Sequence, residues 1–197
     1  DAEQSLQSTL DRFAEFGINN GTILLAELPD LTVRAYVGSA GYVNRSISGF
    51  VNGLTAPRSP GSVLKPFLYG LAIDQGQIIP ETMLSDVPIQ LASYRPENFE
   101  RNFLGPLSAT DALVRSRNIP ALELFRTLRP SSLYNFFAAG GIERLLPEEH
   151  YGIALVLGGF GANSEEVAQL YGLLGTGLLG TDGELRSLKF TNDQVKT

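Results

Sequence analysis

The sequence has no cysteine and only one histidine, His150, in 197 residues. Zinc sites, thiol nucleophiles and Ser-His-Asp triads are therefore nearly excluded. His150 follows Pro147-Glu148-Glu149 in a polar stretch and is read as a surface-loop residue. The absence of cysteine fits a reducing cytosol and equally a periplasm whose proteins do without disulfides. No window comes near the ~18 uninterrupted apolar residues of a membrane helix, and no basic-then-apolar signal opens the chain. There is also no block of like charge, and the net charge is −6, which argues against a nucleic-acid surface.

With 43% hydrophobic and 18% charged residues, the chain is composed like an ordinary globular piece, long enough for one substantial core or two small domains. It starts with Asp1-Ala2-Glu3-Gln4-Ser5-Leu6, as if already within a helix. The expectation is an excised domain whose membrane anchor, if it has one, lies outside this sequence.

Lysine is scarce, at three residues, and one of them stands where chemistry is conceivable. In Arg58-Ser59-Pro60-Gly61-Ser62-Val63-Leu64-Lys65-Pro66-Phe67-Leu68-Tyr69-Gly70, a serine at a helix start precedes a lysine by three residues, so both side chains share one face. A neighbouring amine can take the proton of a serine hydroxyl if burial and nearby cations make its neutral form accessible. Taken alone, the four residues also fit a capping serine followed by a solvated lysine. With 15 serines and 3 lysines in the chain, chance supplies about 0.2 such matches. The flanks favour chemistry: Pro60-Gly61 makes a sharp approach, and Phe67 to Ile73 is an apolar run able to bury the helix.

This run resembles the nucleophile motif of penicillin-binding proteins, most closely the 1C-like branch of the bifunctional class A enzymes. That family pairs Ser-x-x-Lys with Ser-x-Asn and Lys-Thr-Gly. Ser116-Arg117-Asn118 is the second motif at the expected place, between two helices and followed by Ile119-Pro120-Ala121. Chance supplies about 0.8 Ser-x-Asn triplets, so it is the position that carries weight. Tyr94-Arg95-Pro96-Glu97-Asn98 resembles the family's link between the two motifs. Lys196-Thr197 can be taken as a third motif cut before its glycine, or as part of a linker preceding it. The short spacing from Asn118 and the polar lead-in favour the linker.

Along the chain, Leu6, Leu10, Phe13 and Phe16 mark an amphipathic helix ended by Gly17. Residues 22–28 and 31–38 form an antiparallel hairpin, and 39–61 a surface loop. The central helix runs from Ser62 to about Gln75, and 84–89 is a short extended piece. Residues 94–107 read as an irregular aromatic segment. Ser108-Ala109-Thr110-Asp111 caps a short helix ending near Arg115, and further helices span 121–128, 131–139 and 165–174. Residues 184–190 are expected as one last strand. The glycines of 158–161 lack the strand and lysine of a phosphate cradle and are read as a turn.

The resemblance implies an α+β fold of the penicillin-binding-protein and serine β-lactamase type, an antiparallel sheet with a helical subdomain, its C-terminal strands missing. Residues 1–197 would be a partial transpeptidase domain: 1–40 helix and hairpin, 41–61 loop, 62–174 the helical part with both motifs, and 175–197 a linker or the start of a further sheet segment. It implies a serine D,D-transpeptidase that cross-links peptidoglycan stem peptides through an acyl-enzyme on Ser62 and is acylated there by β-lactams. Lys65 would serve as base, Ser116 as proton relay and Asn118 as partner of Lys65 and of the substrate amide. No metal or organic cofactor is implied. The setting would be the periplasmic side of the inner membrane, with an anchor and a glycosyltransferase domain upstream, and with another copy or a separate chain covering the incomplete sheet. This piece alone would acylate weakly. A non-catalytic scaffold or sensor module, and a D,D-carboxypeptidase or β-lactamase relative, stay open as alternatives.

Overall fold

The computed structural model describes residues 1–28, 30–91, 95–176 and 187–190. The chain divides into two compact units, one of residues 1–58, 140–143 and 162–197, the other of 59–139 and 144–161. No helix among the described residues is long and apolar enough to cross a membrane.

In the first unit, helix α1 (Ala2–Phe13) is started by Asp1, whose carboxylate accepts the Glu3 N–H at 2.9 Å. This satisfies one of the free donors at the helix start. Leu6 and Leu10 are buried as their spacing demands, but Phe13 and Phe16 are 42% and 70% exposed, against expectation. After Phe13 the chain tightens into a 3-10 turn, Ala14–Phe16, and closes on Gly17 at φ 78°. The shorter period turns Phe16 off the buried face, and the two rings pack on each other at 6.2 Å.

The hairpin forms as expected: β1 (Ile23–Glu27) pairs antiparallel with β2 (Thr32–Val37), with a register irregularity at Leu25/Ala26. Of the expected last strand, residues 184–186 lie outside the described residues. Lys189 does join β2: its N–H donates to Leu31 O, and its carbonyl accepts the Val33 N–H at 2.8 Å. Helix α6 (Ser164–Thr176) begins in a reciprocal cap, Glu166 N–H to Asn163 Oδ1 and Asn163 N–H to Glu166 Oε2. Glu165 accepts the Tyr36 hydroxyl at 2.5 Å and ties α6 to β2.

In the second unit, a 3-10 turn, Gly61–Leu64, leads into α2 (Lys65–Asp74). The expected helix from Ser62 to Gln75 is thus a 3-10 turn followed by a helix. Pro66 fits within the first helical turn, where its missing N–H removes no intrahelical bond. Strand β3 (Met83–Asp86), which overlaps the expected extended piece 84–89, pairs antiparallel with β4 (Gly105–Ser108), whose first three residues fall in the stretch 94–107 read as irregular. Pro106 is tolerated because a two-stranded ribbon has only edges.

Helix α3 (Ala109–Val114) is capped by Ser108, as its sequence predicts. Helices α4 (Asn118–Thr127) and α5 (Ser132–Ala139) follow. α4 starts three residues earlier than expected, with Pro120 in its first turn. Phe67, Leu68, Ile119, Leu122, Leu133, Phe137 and Leu155 are at most 1% exposed. Each such side chain contributes about 1.5–3 kcal/mol by leaving water. Phe137 sits edge-on to Phe67 and 5.5 Å from the ring of Phe160, so α2, α5 and the glycine-rich turn share one core.

Candidate active site

Lys65 is the first residue of α2 and only 1% exposed, an unusual place for an ammonium. Its Nζ donates to three oxygens: Ser116 O at 2.5 Å, Ser116 Oγ at 3.2 Å and Asn118 Oδ1 at 2.8 Å. All three N–H bonds of a protonated amine are thereby used. Burial, and after it the charge of Arg117, nonetheless pull the amine down from its ordinary 10.5 to about 8. At neutral pH roughly a tenth of the molecules hold this lysine uncharged.

Ser62 lies within the 3-10 turn, exposed, with its carbonyl accepting the Lys65 backbone N–H. Among the described residues no hydrogen bond joins its hydroxyl to Lys65 Nζ. The amine reaches the second motif instead, across 51 to 53 residues of sequence.

Gly158 helps set the placement of that turn. It stands at φ 75°, and a Cβ on it would lie 2.2 Å from Gly61 N, so only glycine fits. Its carbonyl accepts the Ser59 hydroxyl at 2.6 Å. The glycine turn therefore braces the chain just before Ser62.

Ser116 has φ 53°, a left-handed conformation uncommon for serine. It follows α3 and turns the chain so that Ser116 and Asn118 both meet Lys65 while Arg117 points inward. Asn118 Nδ2 donates to Glu97 O at 2.9 Å, so the amide is held on both sides. Beneath lies a buried cluster, with Asp86, Asn98 and Arg117 at 0%, 3% and 3% exposure. Arg117 meets Asp86 Oδ2 through Nε at 2.8 Å and Nη2 at 2.7 Å. Asn98 donates to Asp86 Oδ1 at 2.7 Å and accepts the Asn118 N–H at 2.8 Å, capping α4.

The four residues singled out from sequence, Ser62, Lys65, Ser116 and Asn118, thus fall in one unit, three of them in direct contact. Asp86 and Arg117 carry no local signal, and the sequence shows Gly158 only as part of a glycine-rich turn. An arginine between two motif residues and an aspartate 31 positions away become partners only through the fold. Tyr94 and Lys196-Thr197 lie outside the described residues. His150 is exposed in a short 3-10 turn, Glu148–His150. No group of three or more metal-binding side chains occurs among the described residues.

A family model described as the penicillin binding protein transpeptidase domain matches residues 21–176. Penicillin-binding protein 1C of Escherichia coli (strain K12) is 41% identical over 150 residues, 76% of this chain and 20% of that protein. A solved peptidoglycan glycosyltransferase from Burkholderia ambifaria superposes at TM-score 0.75 with 20% identity, covering all of this chain and 63% of that one. PonA1 of Mycobacterium tuberculosis in complex with penicillin V superposes at 0.69 with 18% identity, covering 94% of this chain and 55% of that one. The two solved structures share the fold, and the chain spans about a fifth of the curated relative's length.

Proposed function

Because the chain belongs to the transpeptidase-domain family of penicillin-binding proteins and has their α+β fold, we propose that Ser62 is the nucleophile of a serine D,D-transpeptidase cross-linking peptidoglycan stem peptides. Ser62 Oγ attacks the carbonyl between the two D-alanines of one stem peptide. The Oγ–C bond forms, the C–N bond breaks, and D-alanine leaves. An amine of a second stem peptide then takes the acyl group, or water does so in a hydrolytic relative. β-Lactams acylate the same oxygen, and the reaction takes place outside the cytoplasmic membrane.

The observation that carries this reading is the seating of Lys65 Nζ among the oxygens of Ser116 and Asn118. A lysine lowered to about 8 gives up a proton near neutrality, so its neutral form can serve as base for Ser62. Ser116 Oγ, 3.2 Å away, offers the route by which that proton reaches the leaving nitrogen. Asn118 holds the amine and presents its amide to the substrate. General acid–base groups of this kind contribute about 10²- to 10⁴-fold in rate.

The test is incubation of the full-length protein with a fluorescent penicillin, followed by a denaturing gel. Label on the wild type and none on Ser62→Ala is expected. Label that survives Ser62→Ala removes Ser62 from the role. A wild type that takes no label is a scaffold or sensor that keeps the fold without the chemistry.

A further inference from the structure

Arg117, the middle residue of Ser116-Arg117-Asn118, is turned away from the three-oxygen seat of Lys65 and is buried. Its guanidinium reaches Asp86 through Nε and Nη2, Asn102 O at 2.5 Å and Asn102 Oδ1 at 2.9 Å through Nη2, and the exposed Glu100 at 3.4 Å. Asp86, at the end of β3, also accepts the Leu104 N–H at 3.0 Å and the Asn98 amide. Asn98 in turn accepts the Asn118 N–H and donates to Asn102 O. The connections form a closed circuit, with Asp86 joining Arg117 and Asn98, and those two flanking the peptide of Asn118.

That circuit bears on a strained turn. Ser116 at φ 53° is held by its own N–H to Leu113 O and by the Arg117 N–H to Ala112 O, both at 2.9 Å. Such a conformation persists only where its surroundings over-determine it. If the Arg117 side chain were released, the Ser116 carbonyl and the Asn118 amide, two of the three acceptors of Lys65, would lose their fixed direction.

We propose that Arg117, fixed by Asp86 and Asn98, is the positioning residue of the acylation site, holding Ser116 and Asn118 in the arrangement that seats Lys65 and placing a fixed buried cation near it. This rests on the acyl-enzyme reading above. The guanidinium suits the role because its planar fork meets Asp86 and Asn102 together, which a lysine ammonium cannot do. Its charge acts on Lys65 in the same direction as burial, against the protonated form.

Other titratable groups around Lys65 do not substitute for it. Tyr69, one turn along α2, is buried with its hydroxyl near Asp86. Asp111 and Arg115 at α3 are exposed, and Glu123 and Arg126 of α4 pair with each other at the surface.

The experiment compares Arg117→Lys and Arg117→Gln in the full-length protein. The first readout is the acylation rate by a fluorescent penicillin across pH 6 to 10. The second, independent of acylation, is the titration of the Lys65 side chain by NMR with carbon-labelled lysine, its resonance assigned by its loss in a Lys65→Arg protein. Arg117→Gln is expected to slow acylation at neutral pH by about 100-fold or more and to move both the pH limb and the Lys65 titration upward. Arg117→Lys keeps the cation and loses the fork, so it should be about tenfold slow with its pH limb and titration near wild type.

An Arg117→Gln protein that is less stable but unchanged in both pH readouts overturns the proposal, as does an Arg117→Lys protein that acylates at the wild-type rate. If Arg117→Gln does not fold, the Arg117→Lys rate decides. If the wild type is not acylated at all, the acyl-enzyme reading falls, and the lysine titration alone decides whether Arg117 governs Lys65.

Discussion

Lys65 Nζ donates to Asn118 Oδ1 at 2.8 Å although 53 residues separate the two in sequence. Asn118→Ala removes that acceptor and the bond to Glu97 O together, and acylation by penicillin should fall by about 100-fold. Asn118→Asp is the more informative change. A carboxylate at this distance favours the ammonium and raises Lys65, so the acylation limb should move to higher pH while the fold persists by circular dichroism.

The pH dependence of the wild type follows from the same lysine. If neutral Lys65 is the base, acylation should rise about tenfold per unit at low pH and level off above about 8, the value to which burial and Arg117 bring it. A profile already flat from pH 6 would remove Lys65 as the base.

Stability should carry the same signature. The unfolded chain holds this proton up to about 10.5 and the folded chain only to about 8, so between those values the unfolded state binds more protons. Urea unfolding should therefore show stability rising across that window and lost again as pH falls to about 8. Lys65→Met should abolish that slope.

Asp86 is fully buried against Arg117, so Asp86→Ala leaves a guanidinium without its counter-charge. The expected cost is about 3–5 kcal/mol, measured by urea unfolding. Asp86→Asn, which keeps the hydrogen bonds to Arg117 and the Leu104 N–H, should cost less.

Gly158→Ala places a methyl 2.2 Å from Gly61 N at a backbone angle that L residues rarely adopt. Left-handed strain and overpacking together should cost about 2–4 kcal/mol. Ser62 shifts with the 3-10 turn, so acylation should fall by more than the loss of folded protein explains. Parallel thermal melts and acylation rates separate the two effects.

The parts of the fold visible in the sequence are those with a local cause. Ser108 and Asn163 mark helix starts because their side chains bond backbone donors three residues on. The hairpin around Asp30 shows itself through alternation and a turn residue. Of the second sheet, β3 shows itself as a short extended piece, but its pairing with β4 does not, because Gly105–Ser108 is only four residues long, bears a proline and is distant from Met83–Asp86 in sequence.

At the site the same division holds. The serine and lysine share one turn, and the Ser-x-Asn triplet carries its own spacing, so Ser62, Lys65, Ser116 and Asn118 are legible. The circuit beneath them is built from Asp86, Asn98 and Arg117, each of which looks like a surface residue in a linear reading. Phe16 misleads in the opposite sense, since apolar spacing foretells a buried face only while the helical period lasts, and Phe16 lies in the 3-10 turn beyond α1.

The bond from the Ser59 hydroxyl to Gly158 O joins residues 99 apart, and its consequence is kinetic. Helices α2 and α4 can form from local contacts on the microsecond scale, but the turn carrying Ser62 is placed only after the intervening chain has folded and returned, a closure of high contact order. In refolding from denaturant, helical circular dichroism should recover first and penicillin acylation later. On the proposed function, reaction with a β-lactam would report the last long-range closure of this unit, and a destabilised variant can hold nearly all its helix while Ser62 is still unplaced.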